Sequence, residues 1–157
     1  MIKNLLSIVA LFTLVSCGTA RTIVTDPIEF SDHVSGINIK RSKKSSADSN
    51  QEHLARFETK LREALFKSGK YKEGGNLTLS YRFVQFSEGS RFARWFTGGI
   101  GNAGEGSLVV EVEYIINGKV IGKIQADGRI GSGVFGGSVD NAIEKAATEV
   151  ANYTLSQ

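Results

Sequence analysis

The chain has 157 residues, which corresponds to one domain, and its 41% apolar and 22% charged residues are typical of a globular protein. The formal net charge of +3 is small and spread along the chain, which excludes the basic footprint of a nucleic-acid-binding domain. The single cysteine excludes an internal disulfide.

The N-terminal residues have the parts of an export signal. Lys3 is positively charged, and an apolar run from Leu5 to Val15 leads to small residues before Cys17. The run has about eleven residues, whereas a membrane-spanning helix needs about twenty. We therefore predict a cleaved signal peptide and not a transmembrane anchor.

The tetrapeptide Leu14-Val15-Ser16-Cys17 resembles the lipobox of bacterial lipoproteins. The resemblance implies cleavage before Cys17 and lipid attachment to its thiol, by palmitate or a similar fatty acid. Gly18 follows the cysteine where an Asp would resemble an inner-membrane retention signal, so the analogy implies an outer-membrane anchor facing the periplasm. The alternative is an ordinary secretory signal that leaves Cys17 unused.

This interpretation divides the chain into three parts. Residues 1–16 are the signal peptide, residues 17–35 are the lipidated cysteine and a tether, and residues 36–157 are a single domain. Within the tether, Ile23 and Val24 show a short alternation that is compatible with a strand.

The domain is predicted to begin with a strand and a helix. Ile37 and Ile39 alternate with polar residues. Ser49 and Glu52 form a capping box, and Gly69 ends the helix. Its apolar face is predicted to contain Leu54, Phe57, Leu61, Ala64 and Leu65. The basic loop 41–46 between strand and helix is either solvated or in contact with a polyanion such as lipid headgroups.

A half-buried strand follows over residues 76–86. Leu77, Leu79, Tyr81 and Phe83 alternate on one face, and the alternation breaks near Val84, which predicts a bulge or the end of the strand.

The segment 88–106 contains two features of interest. Gly99, Gly101 and Gly104 spell G-x-G-x-x-G, but the glycines lead into a predicted strand and not the helix that a dinucleotide site requires. The aromatic and arginine side chains of the segment either form a partner or membrane contact or close one end of the core; they are Arg91, Phe92, Arg94, Trp95 and Phe96.

A hairpin is predicted over residues 107–130 with Asn117-Gly118 at its turn. A two-residue turn would place Val112 opposite Lys123 and mix the core and solvent faces. We therefore expect a three-residue loop, which pairs Tyr114 with Val120, Val110 with Ile124, Leu108 with Ala126, and Glu111 with Lys123 on the solvent face.

The last predicted element is a helix that begins near Ser138 or Asp140. Its small residues Ala146, Ala147 and Ala151 indicate that it lies close on the sheet.

The pattern from residue 50 to 155 resembles the bacterial domain of unknown function 4410. The likeness rests on the run from Gly106 to Tyr114, the turn residues 118–121, the cluster Val134-Phe135-Gly136-Gly137 and the Ala-rich last helix. It implies a small secreted lipoprotein and adds no chemistry.

Together these elements predict an α+β domain with a small antiparallel or mixed sheet of about four strands and two helices packed on one face. The two histidines, His33 and His53, accompany no metal, P-loop or hydrolase motif, so we expect no cofactor, no metal and no enzymatic activity. We expect a lipid-anchored protein that binds an envelope partner or supports an envelope assembly. The alternatives are an oligomeric lipoprotein whose segment 88–106 inserts in or threads a membrane, and a hydrolase with unrecognised carboxylates.

Overall fold

A computed structural model describes residues 20–28, 33–47, 50–87, 107–129 and 138–157. These residues form five strands and two helices: β1 Ala20–Asp26, β2 Ile37–Arg41, α1 Gln51–Phe66, β3 Leu77–Ser87, β4 Ser107–Ile116, β5 Lys119–Arg129 and α2 Val139–Ser156.

The strands form one mixed sheet with the order β1-β5-β4-β3-β2. β2 and β3 are parallel and the other neighbours are antiparallel. The sheet has one strand more than expected, because residues 20–26, from the segment predicted as a tether, pair with β5 as an edge strand.

Both helices pack on one face of the sheet, so the predicted α+β fold is confirmed. The Phe57 ring of α1 lies 4.9 Å from the Tyr81 ring of β3, and the Tyr153 ring of α2 lies 6.2 Å from the Tyr114 ring of β4. Ala146, Ala147 and Ala151 of α2 are buried, in agreement with the predicted close approach. Within the described ranges, neither helix is long and apolar enough to cross a membrane.

The N-terminus of α1 differs from the prediction by one residue. Its N-cap is Asn50, whose side chain accepts a hydrogen bond from the Glu52 backbone N–H at 2.9 Å. Ser49, the predicted cap, lies outside the described residues. Ser138, one of the two predicted starts, caps α2 by accepting a hydrogen bond from the Asn141 backbone N–H.

The break in the β3 alternation is confirmed as a bulge. Leu77, Leu79, Tyr81 and Phe83 are buried, and the pairing with β4 shifts register between Phe83 and Gln85. The Phe86 ring then returns to the core side, 6.3 Å from the Phe83 ring.

The predicted register of the β4–β5 hairpin is wrong. Ile116 pairs with Lys119 around a two-residue turn, in which Asn117 and Gly118 both have positive φ. A register shift between Tyr114 and Ile115 leaves Ile121 as an extra residue in β5. The resulting pairs are Tyr114 with Gly122, Val112 with Ile124, Val110 with Ala126, and Glu113 instead of Glu111 with Lys123.

The bulge explains why the two-residue turn is possible. Because the bulge adds one residue to β5, the residues that follow it return to the core face. The two-residue turn therefore no longer pairs core residues with solvent-facing ones. Val120 precedes the bulge and is 43% exposed, whereas the prediction placed it in the core.

Candidate functional site

The sheet face opposite the helices carries a charged network that the sequence did not reveal. We call it the open-face network; it comprises Arg21, Lys44, Arg82, Glu111, Glu113, Lys123, Asp127 and Arg129. Glu111 was expected on the solvent face, but it is only 8% exposed, and Asp127 is only 7% exposed. The guanidinium groups of Arg82 on β3, Arg21 on β1 and Arg129 on β5 contact them.

Glu113 has two lysine partners in this network. Its Oε1 accepts hydrogen bonds from the Nζ atoms of Lys44 at 2.6 Å and Lys123 at 3.1 Å. The hydrogen bond from Lys44 is the main reason that the pKa of Glu113 is lowered from its ordinary value, and burial of the carboxylate opposes the effect in part.

The two more buried carboxylates also have cationic partners. The Nε of Arg82 lies 2.9 Å from Glu111 Oε1. Asp127 Oδ2 lies 3.6 Å from the Nε of Arg21 and 3.2 Å from that of Arg129. These ion pairs give both carboxylates a structural role in the sheet.

The basic loop 41–46 contributes to the fold. Arg41 donates hydrogen bonds to the Tyr81 hydroxyl and to the Gln51 side chain, and Lys44 reaches Glu113. Backbone bonds from Ser42 to the Tyr81 carbonyl and from Ala47 to the Phe83 carbonyl fasten the loop along β3. At least two of its cations therefore have partners within the chain.

Two buried tyrosines connect the helices to the sheet. The Tyr114 hydroxyl lies 2.8 Å from the Thr154 hydroxyl, which donates to the Val150 carbonyl. The Tyr81 hydroxyl donates to the Leu54 carbonyl at 3.2 Å. Burial raises the pKa of both phenols, that of Tyr81 to about 12, so both stay protonated near neutral pH.

The two histidines do not form a site. The His53 ring, at the start of α1, lies 5.0 Å from the Phe86 ring near the end of β3. His33 lies near the other end of β3, where its carbonyl accepts a hydrogen bond from Asn76. Among the residues that the structure describes, no group of three or more His, Cys, Asp or Glu side chains could hold a metal ion.

A groove lies between the start of β1 and α2. It is lined by Ala20, Asn141, Glu144, Lys145, Thr148 and Glu149. The titratable side chains in this lining all come from α2, whereas an active site brings such groups together from several elements. Thr22 donates a hydrogen bond to Glu149 at 3.2 Å, which ties the edge strand to the helix.

The residues singled out by the sequence lie outside the described ranges. They are Cys17, Arg91, Phe92, Arg94, Trp95 and Phe96. Their predicted roles in lipid attachment and in partner or membrane contact therefore stay predictions. β4 does begin at Ser107, so the glycines at 99–104 precede a strand, as expected, and not a helix.

No family model matches the chain, and no curated protein matches it. Its fold is similar to that of a PelC dodecamer from Paraburkholderia phytofirmans, with 14% identity, 86% of this chain and 96% of that chain covered, and a TM-score of 0.54. A variant of the same dodecamer gives 15% identity, coverage of 86% and 95%, and a TM-score of 0.48. At these identities the likeness concerns the fold alone.

Proposed function

We propose that this chain is a non-enzymatic lipoprotein of the bacterial envelope. Acylated Cys17 anchors it in the outer membrane facing the periplasm, where the domain binds an envelope partner or supports an envelope assembly. The observation that carries the proposal is the position of Cys17, which ends an export signal and stands three residues before the first residue of β1. The resemblance to the domain of unknown function 4410 stays a prediction.

The charged network supports the non-enzymatic part of the proposal. Each of its three carboxylates has a cationic partner within 4 Å and therefore has a structural role. The described residues form a packed core with an exposed surface, which suits a binding or assembly protein.

The assembly part is supported by the likeness to the PelC dodecamer and by the outer edge of the sheet. Ile23 and Val24 of β1 are 42% and 43% exposed. An edge strand that exposes β-branched residues favours pairing with another chain. The second candidate function, an oligomer whose segment 88–106 inserts in or threads a membrane, also requires such an assembly.

Replacement of Cys17 tests the anchor. Cys17→Ser is expected to leave uncleaved precursor and to abolish labelling by a fatty-acid probe, because only a thiol forms the thioether. Ser16→Ala keeps a small residue before the cut and is the matched control, which we expect to be labelled. Normal labelling of the Cys17→Ser variant would contradict the proposal.

Two measurements separate the candidate functions. Native mass spectrometry of the detergent-solubilised protein is expected to give an oligomer if segment 88–106 acts in a membrane, and a stable monomer would count against that candidate. Affinity capture from membranes is expected to recover a partner with the wild type and to lose it with the Trp95→Ala, Phe96→Ala variant. Equal recovery would show that these side chains do not contact the partner.

A further inference from the structure

The end of the sheet at which β1 begins also carries an exposed basic cluster. Ala20 of β1 pairs with Gly128, and Ser107 of β4 pairs with Arg129. We call this end the arginine end, defined by Ala20, Arg21, Ser107 and Arg129. The Asn117-Gly118 turn lies at the opposite end, nine residues along β4 and therefore about 30 Å away.

The charge at the arginine end is positive and accessible. Arg21 and Arg129 both contact Asp127, and their side chains are 64% and 46% exposed, whereas that of Asp127 is 10% exposed. Two guanidinium groups on one carboxylate leave a net positive charge. Asp127 orients the two Nε atoms, and the exposed parts of both guanidinium groups can donate hydrogen bonds to anionic oxygens.

We infer that the arginine end faces the membrane and contacts its anionic phospholipid headgroups. The inference rests on the proposed acylation of Cys17. Two residues, Gly18 and Thr19, separate Cys17 from Ala20, so the Cα atoms of Cys17 and Ala20 lie at most about 11 Å apart. Because β1 pairs with β5 from Ala20 onward, the lipid anchor is joined closely to the sheet and not through a long tether.

This short spacing brings the two arginines into the range of the membrane field. The Debye length at physiological ionic strength is about 8 Å, so charges on the arginine end interact with headgroups while those near the hairpin turn are screened. Guanidinium groups also match phosphate geometry by paired hydrogen bonds. The anchor and the charge therefore favour the same orientation of the domain.

Spin labels on the acylated full-length protein test the orientation. Acylation consumes the thiol of Cys17, so one introduced cysteine takes the label alone. Asn141→Cys places it beside Ala20 in the groove, and Lys119→Cys places it at the hairpin turn. In vesicles of phosphatidylethanolamine and phosphatidylglycerol that contain a nickel-chelating lipid, we expect severalfold faster relaxation at position 141 than at position 119.

The outcomes separate this inference from the proposed function. Intact mass measurement shows whether Cys17 carries lipid, and a chain without lipid overturns both. An acylated chain whose label at position 119 relaxes as fast as that at position 141, or faster, overturns the orientation and leaves the lipoprotein proposal standing.

A charge variant tests the arginine contact. Arg21→Gln, Asp127→Asn and Arg129→Gln together remove the cluster without leaving a buried unpaired carboxylate. Exchange of phosphatidylglycerol for phosphatidylcholine is expected to slow the relaxation at position 141 in the wild type and to leave it unchanged in this variant. The same response in both proteins would overturn the arginine contact.

Discussion

The carbonyl oxygen of Ala142 in α2 lies 2.2 Å from the position that a Cβ atom on Gly128 would occupy. β5 and α2 therefore approach each other as closely as a glycine allows, and the Ala146 Cβ stands 3.3 Å from the same position. This contact sets the short distance between α2 and β5.

Gly128→Ala is expected to lower the free energy of unfolding by about 1–3 kcal/mol, because the added methyl group overlaps a backbone atom that cannot rotate away. Urea denaturation followed by circular dichroism measures the change. Asn141→Ala, an exposed substitution on the same helix, is the control and should change stability little. Unchanged stability of Gly128→Ala would show that the helix does not lie this close.

Acidification should weaken the open-face network through Glu113. Its pKa is lower in the folded than in the unfolded chain, so its contribution is complete above the ordinary value of 4.5 and is lost as the pH falls through the folded-state pKa. Glu113→Gln should therefore lose less stability than the wild type below pH 4.5. Identical acid dependence of the two proteins would contradict the ion-paired state.

Lys44→Met should raise the pKa of Glu113, because the hydrogen bond from Lys44 is the main cause of its lowering. The lysine is half exposed, so the substitution should cost only about 0.2–1 kcal/mol. Carboxyl titration by NMR measures the pKa. Lys43→Met, the exposed neighbour, should leave it unchanged, and an equal effect of both substitutions would refute the assignment of this contact.

Tyr81 should make stability depend on alkaline pH. Its pKa is raised to about 12 in the folded chain from an ordinary value of 10, so its contribution is complete below pH 10 and is lost as the pH rises toward 12. Tyr81→Phe should therefore show a shallower loss of stability in this range. Tyr71→Phe, at a half-buried ring, is the control, and a slope for Tyr81→Phe equal to that of the wild type would contradict the prediction.

Deletion of Ile121 tests the bulge. The bulge places this residue outside the regular pairing, so its removal should convert the hairpin to a regular one with the core pairs unchanged. Deletion of Lys123, a regularly paired residue, instead shifts the register between β4 and β5 by one residue on one side of the deletion. A one-residue shift moves core side chains to the solvent face. We expect the first variant to retain a cooperative unfolding transition at higher urea than the second; the reverse order would argue against the observed register.

Local periodicity predicted those parts of the fold whose signal lies in consecutive residues. The buried face of β3 and its bulge near Val84 follow from side chains that alternate every second residue. The core face of α1 and the Ser138 cap of α2 follow from helical spacing and capping chemistry. In each case a side chain's neighbours along the chain determine its environment.

Pairing across the sheet could not be predicted in the same way. Whether Lys123 meets Glu111 or Glu113 depends on one extra residue at Ile121, and the local sequence pattern did not distinguish the two. Burial of Glu111 and Asp127 depends on Arg82, Arg21 and Arg129, of which only Arg129 is close in sequence to its partner.

The sequence by itself predicted an export signal that ends at Cys17, and it determined the order of the helices and core strands and the lack of recognised catalytic motifs. Only the tertiary structure decided that residues 20–26 join the sheet, that the hairpin is bulged and that the open-face carboxylates are ion-paired. The physical reason is that an element's burial pattern repeats within a few residues, whereas register and charge pairing depend on the combined burial of residues far apart in the chain.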